Sequence, residues 1–157
     1  MKKLLLSTFL FICFIAASNA QQGGFRVGGH AGIPLSDASD FSSFNIGADA
    51  TYHWNISEKF ALGAATGYAV FMGKDDFDNY SFIPVAASAR AGYGKSIFYT
   101  ADLGYAVATD SDTDGGLYLQ AKLGWTNSAI DAFIFYKNIS ADNASLGALG
   151  IGIAFKI

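Results

Sequence analysis

Residues 44–56 read FNIGADATYHWNI, and one property of this stretch decides the fold. Phe44, Ile46, Ala48, Ala50, Tyr52, Trp54 and Ile56 fall on one parity, and Asn45, Gly47, Asp49, Thr51, His53 and Asn55 on the other. A repeat of two belongs to a β-strand, whose successive side chains point to opposite faces. The same alternation recurs over 25–33, 60–72, 83–93, 97–107, 117–125, 130–137 and 149–157. Eight strands are therefore predicted. Their connections also alternate: 55–59, 94–96 and 126–129 are tight, whereas 35–43, 73–81, 109–116 and 138–145 are longer and rich in Asp, Asn, Ser and Gly.

An even number of strands with short turns at one end and longer loops at the other is the pattern of an all-β, eight-stranded antiparallel up-and-down transmembrane β-barrel. With their flanking residues the strands are about 10–13 residues long, enough to cross an apolar bilayer core when tilted. Two observations favour lipid over water outside. The polar parity holds many small residues, among them Gly28, Gly32, Gly47, Gly63, Gly92, Gly104, Gly150 and Gly152, which the cramped interior of a small barrel requires and solvent does not. Aromatics on the apolar parity gather at the strand ends. Phe25, Trp54, Phe60, Tyr93, Tyr99, Trp125 and Phe155 lie towards the tight turns, and Phe44, Tyr68, Tyr105 and Tyr136 towards the longer loops. Two such girdles flanking an aliphatic band match two membrane interfaces. A lipocalin-like soluble barrel has no reason to sort aromatics by height.

Composition agrees. Of 157 residues, 52% are hydrophobic and only 15% charged, against about 25% charged in an average soluble domain. Such a chain is too apolar for disorder. With net charge −3 and no basic cluster beyond the first residues, nucleic acid is not an expected partner. One cysteine builds neither a disulfide framework nor a thiolate zinc site.

Residues 1–20, MKKLLLSTFLFICFIAASNA, begin with Lys2 and Lys3, continue through an apolar run and end in Ser18-Asn19-Ala20. This is the pattern of a signal peptide cleaved after Ala20, and the run is short for a membrane-spanning helix. The expected mature barrel domain is residues 21–157, with 8 basic and 13 acidic groups and net charge −5.

With its alternation, its leader, the segment FIPVAASARAGYG and the final strand GALGIGIAFKI, the chain resembles the small eight-stranded bacterial outer-membrane proteins, the OmpX, OmpA transmembrane-domain and OmpW-like group. The resemblance implies the bacterial cell outer membrane as location, and outer-membrane lipids and lipopolysaccharide as surroundings. It also implies recognition of the last strand by the barrel-insertion machinery. Members of that group often end on an aromatic residue; here Ile157 is last and Phe155 sits two places earlier on the same face.

If the apolar parity faces lipid, then Arg26, His30, Asp49, His53, Arg90, Asp102, Lys122, Asp131 and Lys156 point inward. Hairpin registers predict Arg90 opposite Thr100 and diagonal to Asp102 and Lys122 diagonal to Asp131, and a register through the first loop would set His30 opposite Asp49. Buried charge must be paired, so these groups read as an ion-paired plug. His30 and Asp49 with a serine would sketch a hydrolase, but no serine is placed beside them by a motif, and no catalytic, cofactor or metal residue is assigned.

The longer loops hold nine of the 13 acids: Asp37, Asp40, Asp75, Asp76, Asp78, Asp110, Asp112, Asp114 and Asp142. Asp110, Asp112 and Asp114 begin a D-x-D-x-D-G calcium pattern, yet its twelfth position is Ala121 instead of a bidentate Glu. The reading is a non-enzymatic outer-membrane barrel with a plugged lumen, acting through its acidic loops on the envelope or an extracellular partner. The alternative is a narrow porin or a route for small apolar molecules.

Overall fold

The computed structural model describes residues 23–74, 77–110, 113–141 and 144–157. The expected signal peptide, residues 1–20, lies outside them. Eight strands follow one another: β1 (Gly24–Ser36), β2 (Ser42–Asn55), β3 (Phe60–Gly73), β4 (Tyr80–Tyr93), β5 (Ile97–Ala108), β6 (Gly116–Thr126), β7 (Ile130–Ala141) and β8 (Ala144–Lys156). A single helical turn, α1 (Ala38–Phe41), sits between β1 and β2. Every neighbouring pair is antiparallel, and β1 pairs with β8 from Arg26↔Lys156 to Ser36↔Leu146, closing the barrel. The eight-stranded up-and-down architecture read from the alternation is the one observed.

Parity is also as expected. Leu103 is 56% exposed and Ile151 67%, while Asp102 and Gln120 are 1% exposed. The eleven girdle aromatics all face outward. A closed sheet this narrow curls tightly, so inward positions come close to the neighbouring backbone. At Gly63 an added Cβ would stand 1.8 Å from the Tyr52 carbonyl oxygen, and at Gly28 2.1 Å from that of Ile153. Neither position has room for a side chain.

Two loop assignments are corrected. Residues 138–145 were expected to form a long loop, but the ladder continues through Asn138↔Gly147 and Ser140↔Ser145 to Ala141↔Ala144. Asn138 Nδ2 donates to Ser140 Oγ (2.8 Å), and Ser145 Oγ donates to Asn138 Oδ1 (2.9 Å). These polar side chains satisfy one another on the strands and do not break them. Residues 35–43 likewise contain the end of β1, α1 and the start of β2. Ser36, at φ 57°, turns the chain into α1, with Ser39 Oγ donating to its carbonyl oxygen (2.8 Å). Asp37 Oδ2 accepts the Ser145 backbone N–H (2.8 Å), which ties this connection to β8.

The interior is layered, which the purely polar plug did not anticipate. Towards the long loops the lumen is filled by Phe71, Phe82, Ala106, Ile139, Leu146 and Ala148, with Ala38 of α1 fully buried on top. Phe71 and Phe82 meet edge to face, with ring centroids 6.2 Å apart. Charge is confined to the middle and to the short-turn end.

A cation at mid-depth on the outer face is expected to be costly if that face meets lipid. Leu103→Arg should lower stability by about 2–4 kcal/mol, whereas Ser57→Arg in an exposed turn should change little. Reversible urea unfolding in lipid vesicles, followed by the fluorescence of Trp54 and Trp125, measures the difference.

Candidate functional site

The lumen brings together all of the inward charges read from the sequence, in two groups. The first is centred on Asp131, near the start of β7. Its Oδ2 lies 3.0 Å from Arg26 Nε of β1 and 3.0 Å from Arg90 Nη1 of β4. Its Oδ1 accepts the Thr126 hydroxyl (2.5 Å) and lies 3.6 Å from Lys156 Nζ of β8. Lys156 also donates to Thr126 Oγ1 (2.8 Å) and to the Asn127 carbonyl (2.5 Å). The Arg90 guanidinium lies over the Phe98 ring at 3.7 Å, a favourable cation–π geometry.

The second group occupies mid-height. Asp49 Oδ2 lies 3.1 Å from His30 Nδ1 and 3.3 Å from Lys122 Nζ. A carboxylate only accepts and an ammonium only donates, so Nδ1 of His30 carries the hydrogen and Nε2 accepts from Lys137 Nζ, at 2.5 Å. Lys122 stands 3.8 Å from Asp102, which accepts the Ser88 hydroxyl at 2.5 Å. Ser88 Oγ in turn lies 2.8 Å from His53 Nε2. Beside them Tyr118 donates its hydroxyl to Gln120 Oε1.

Several expected neighbours change. His30 stands opposite Gly47, not Asp49, and meets the Asp49 carboxylate diagonally. Arg90 does stand opposite Thr100, with Asp102 opposite Ser88, but the guanidinium turns to Asp131 while Asp102 takes Ser88 and Lys122. Lys122 is not diagonal to Asp131: it faces Phe135, and Asp131 faces Thr126. The cause is the turn. Asn127 Oδ1 accepts the N–H groups of Ala129 and Ile130, both at 2.8 Å, and Asn127 N–H bonds to the Ile130 carbonyl (3.0 Å), an Asx-type closure that shifts the register from the one assumed. Lys122 consequently reaches across the lumen to Asp49 on β2. Lys137 was missed as a member of the network, although it shares the parity of Asp131; it is 1% exposed.

These hydrogen bonds do not form a nucleophile and base. In a serine hydrolase the imidazole stands between serine and carboxylate. Here Ser88 stands between His53 and Asp102 and gives its hydrogen to the carboxylate. Around His30 the position a serine would need is taken by Lys137. Asp112 of the D-x-D-x-D pattern lies outside the described residues; Asp110 and Asp114 are exposed.

One opening between the two groups, of about 20 Å³, is lined by Arg26, His53, Arg90, Lys122 and Asp131 among others. That is room for about one water molecule.

No family model matches the chain, and no curated protein does. Solved structures match at the level of the fold. The crystal structure of Ail, the attachment invasion locus protein of Yersinia pestis, superposes with a TM-score of 0.63 at 11% identity, covering 88% of this chain and 100% of that one. A de novo designed transmembrane β-barrel gives 0.56 at 13% identity, covering 90% and 99%. The N-terminal β-barrel domain of Pseudomonas aeruginosa OprF gives 0.52 at 13%, covering 87% and 99%. The chain thus has the fold of the small eight-stranded outer-membrane barrels, the group its sequence resembles.

Removing the shared carboxylate leaves two buried guanidiniums without it. Asp131→Ala should therefore cost on the order of 3–5 kcal/mol. Lys137→Met replaces a buried ammonium by an apolar chain of similar length and should cost much less. Urea midpoints of both variants in the same vesicles rank the two.

Proposed function

We propose that the chain is a non-enzymatic barrel of the bacterial outer membrane, reached by export with removal of residues 1–20. Its working surface is the set of acidic loops, and the ion-paired lumen serves as structure. The observation that carries this reading is the filled interior among the described residues: an apolar layer packs under α1, and two charged groups occupy the middle and the short-turn end. A barrel filled in this way has its outside left for interaction. The outward aliphatic band and aromatic girdles support lipid as the surroundings.

At the long-loop end Asp37, Asp40, Asp78, Asp110 and Asp114 are all exposed. Lipopolysaccharide is itself anionic, so acidic loops meet it through divalent cations, whose oxygen preference both surfaces satisfy. The same loops are the surface available to an extracellular partner. Assembly passes through the barrel-insertion machinery, with Phe155 on the outward face of β8 as the aromatic mark nearest the end of the chain.

Refolded residues 21–157 should migrate differently on gels before and after boiling, and should give no steady single-channel current in a planar bilayer. Sustained conductance would replace the plugged reading with the narrow porin. Neutralising Asp37, Asp40 and Asp78 to Asn should weaken magnesium-dependent association with lipopolysaccharide vesicles while leaving the folded gel shift intact.

A further inference from the structure

His53 on β2 is 2% exposed, and its Nδ1 is buried without a hydrogen-bond partner within the chain. Its other ring nitrogen, Nε2, lies 2.8 Å from Ser88 Oγ, and Ser88 gives its own hydrogen to Asp102 Oδ1 at 2.5 Å. A hydroxyl has one hydrogen, so towards His53 it accepts. The hydrogen of the neutral ring therefore stands on Nε2, and Nδ1 presents a bare lone pair. His30 has the opposite arrangement: its Nδ1 carries the hydrogen, and both of its nitrogens meet protein groups, Asp49 and Lys137.

His53 also lines the opening of about 20 Å³ between the two charged groups. A buried acceptor without a donor is costly, so the donor for Nδ1 has to come from outside the chain. The wall decides what that donor is. Arg26, Arg90 and Lys122 line the same opening and set their charge against an ammonium or a metal ion. The lone pair of Nδ1 sets itself against an anion. A neutral molecule that both donates and accepts satisfies the two conditions together. Its further partners are present: the hydroxyls of Thr51 and Thr100 line the opening, Asp131 accepts, and Lys122 has three ammonium hydrogens for two carboxylate neighbours, Asp49 and Asp102. The space admits one water, and a buried water needs two to four polar partners of this kind.

We propose that the opening is a binding site for one ordered water molecule, which donates to His53 Nδ1 and accepts from the wall. The water is a junction. From His53, polar contacts run through Ser88 and Asp102 to Lys122 and Asp49, and the water extends that chain to the opening where the Asp131 group begins. It also fixes the tautomer of His53, and with it the direction of the Ser88 hydroxyl.

The two histidines are the probe, because they should answer oppositely. The full mature barrel, refolded in lipid with isotope-labelled histidine and studied by NMR at neutral pH, should show His53 as the Nε2–H tautomer with Nδ1 accepting a hydrogen bond. His30 should be the Nδ1–H tautomer. Magnetisation transferred from water should reach the His53 ring and be lost at the His30 ring, whose nitrogens are both taken by protein groups. His30→Gln assigns the two sets of signals, and His53→Gln does so if the first variant does not fold. A crystal of the unsubstituted barrel should show one water oxygen within hydrogen-bond distance of His53 Nδ1. The proposal is overturned by a hydrogen on His53 Nδ1, by the absence of water transfer to its ring, or by an ion in the density at that place.

Discussion

Everything in this protein follows from closing a sheet of only eight strands on itself. Once β1 pairs with β8, no edge remains and each residue of a strand belongs inside or outside. The outside must then be apolar wherever lipid touches it, and the inside must be filled, because a narrow ring leaves side-chain room and little more. Gly63 and Gly28 show how severe that limit is: backbone of the next strand already stands where their Cβ atoms would be.

Filling the ring with charge is physically demanding. A buried ion pair loses much of its attraction to desolvation, and a buried ion without a partner is worse. The lumen meets this with shared groups: Asp131 serves Arg26, Arg90 and Lys156, and Asp49 serves His30 and Lys122. Aromatic faces add to these pairs, with Phe98 under Arg90, Phe133 near Lys122 and Phe135 near Lys137. Towards the long loops the barrel changes strategy and packs Phe71, Phe82, Ile139 and Leu146 instead.

The strand number, the closure order and the facing of each residue were legible in the sequence, because a period of two carries facing directly. Partners across the lumen were not. Adjacent-strand register depends on turn closure, and the Asn127 side chain displaced the assumed pairing of Lys122 with Asp131. Arg26 reaches Asp131 past the intervening β8, and Lys122 reaches Asp49 across the ring; such contacts join strands that are not neighbours, and no local pattern encodes them. The apolar layer had a readable sign, since Phe71, Phe82 and Leu146 fall on the inward parity. Asn138, Ser140 and Ser145 concealed how far β7 and β8 extend, because polar residues at the long-loop end satisfy one another and keep the ladder intact.

The placement of Asp131 bears on assembly. Its charged partners come from β1, β4 and β8, and Arg26 is separated from it by 105 positions along the chain. During synthesis the first guanidinium is made long before its carboxylate, and the last ammonium arrives only when the final strand is complete. Contacts so distant in sequence form late, after most of the loop-closure entropy has been spent. A barrel still open between β1 and β8 therefore keeps these charges in water, where they oppose premature burial. Once the seam is joined, the same charges lie in the interior and hold it shut. The Asp131 group acts as a lock that engages only on a completed circle, so an incomplete barrel has no counterfeit of the finished one.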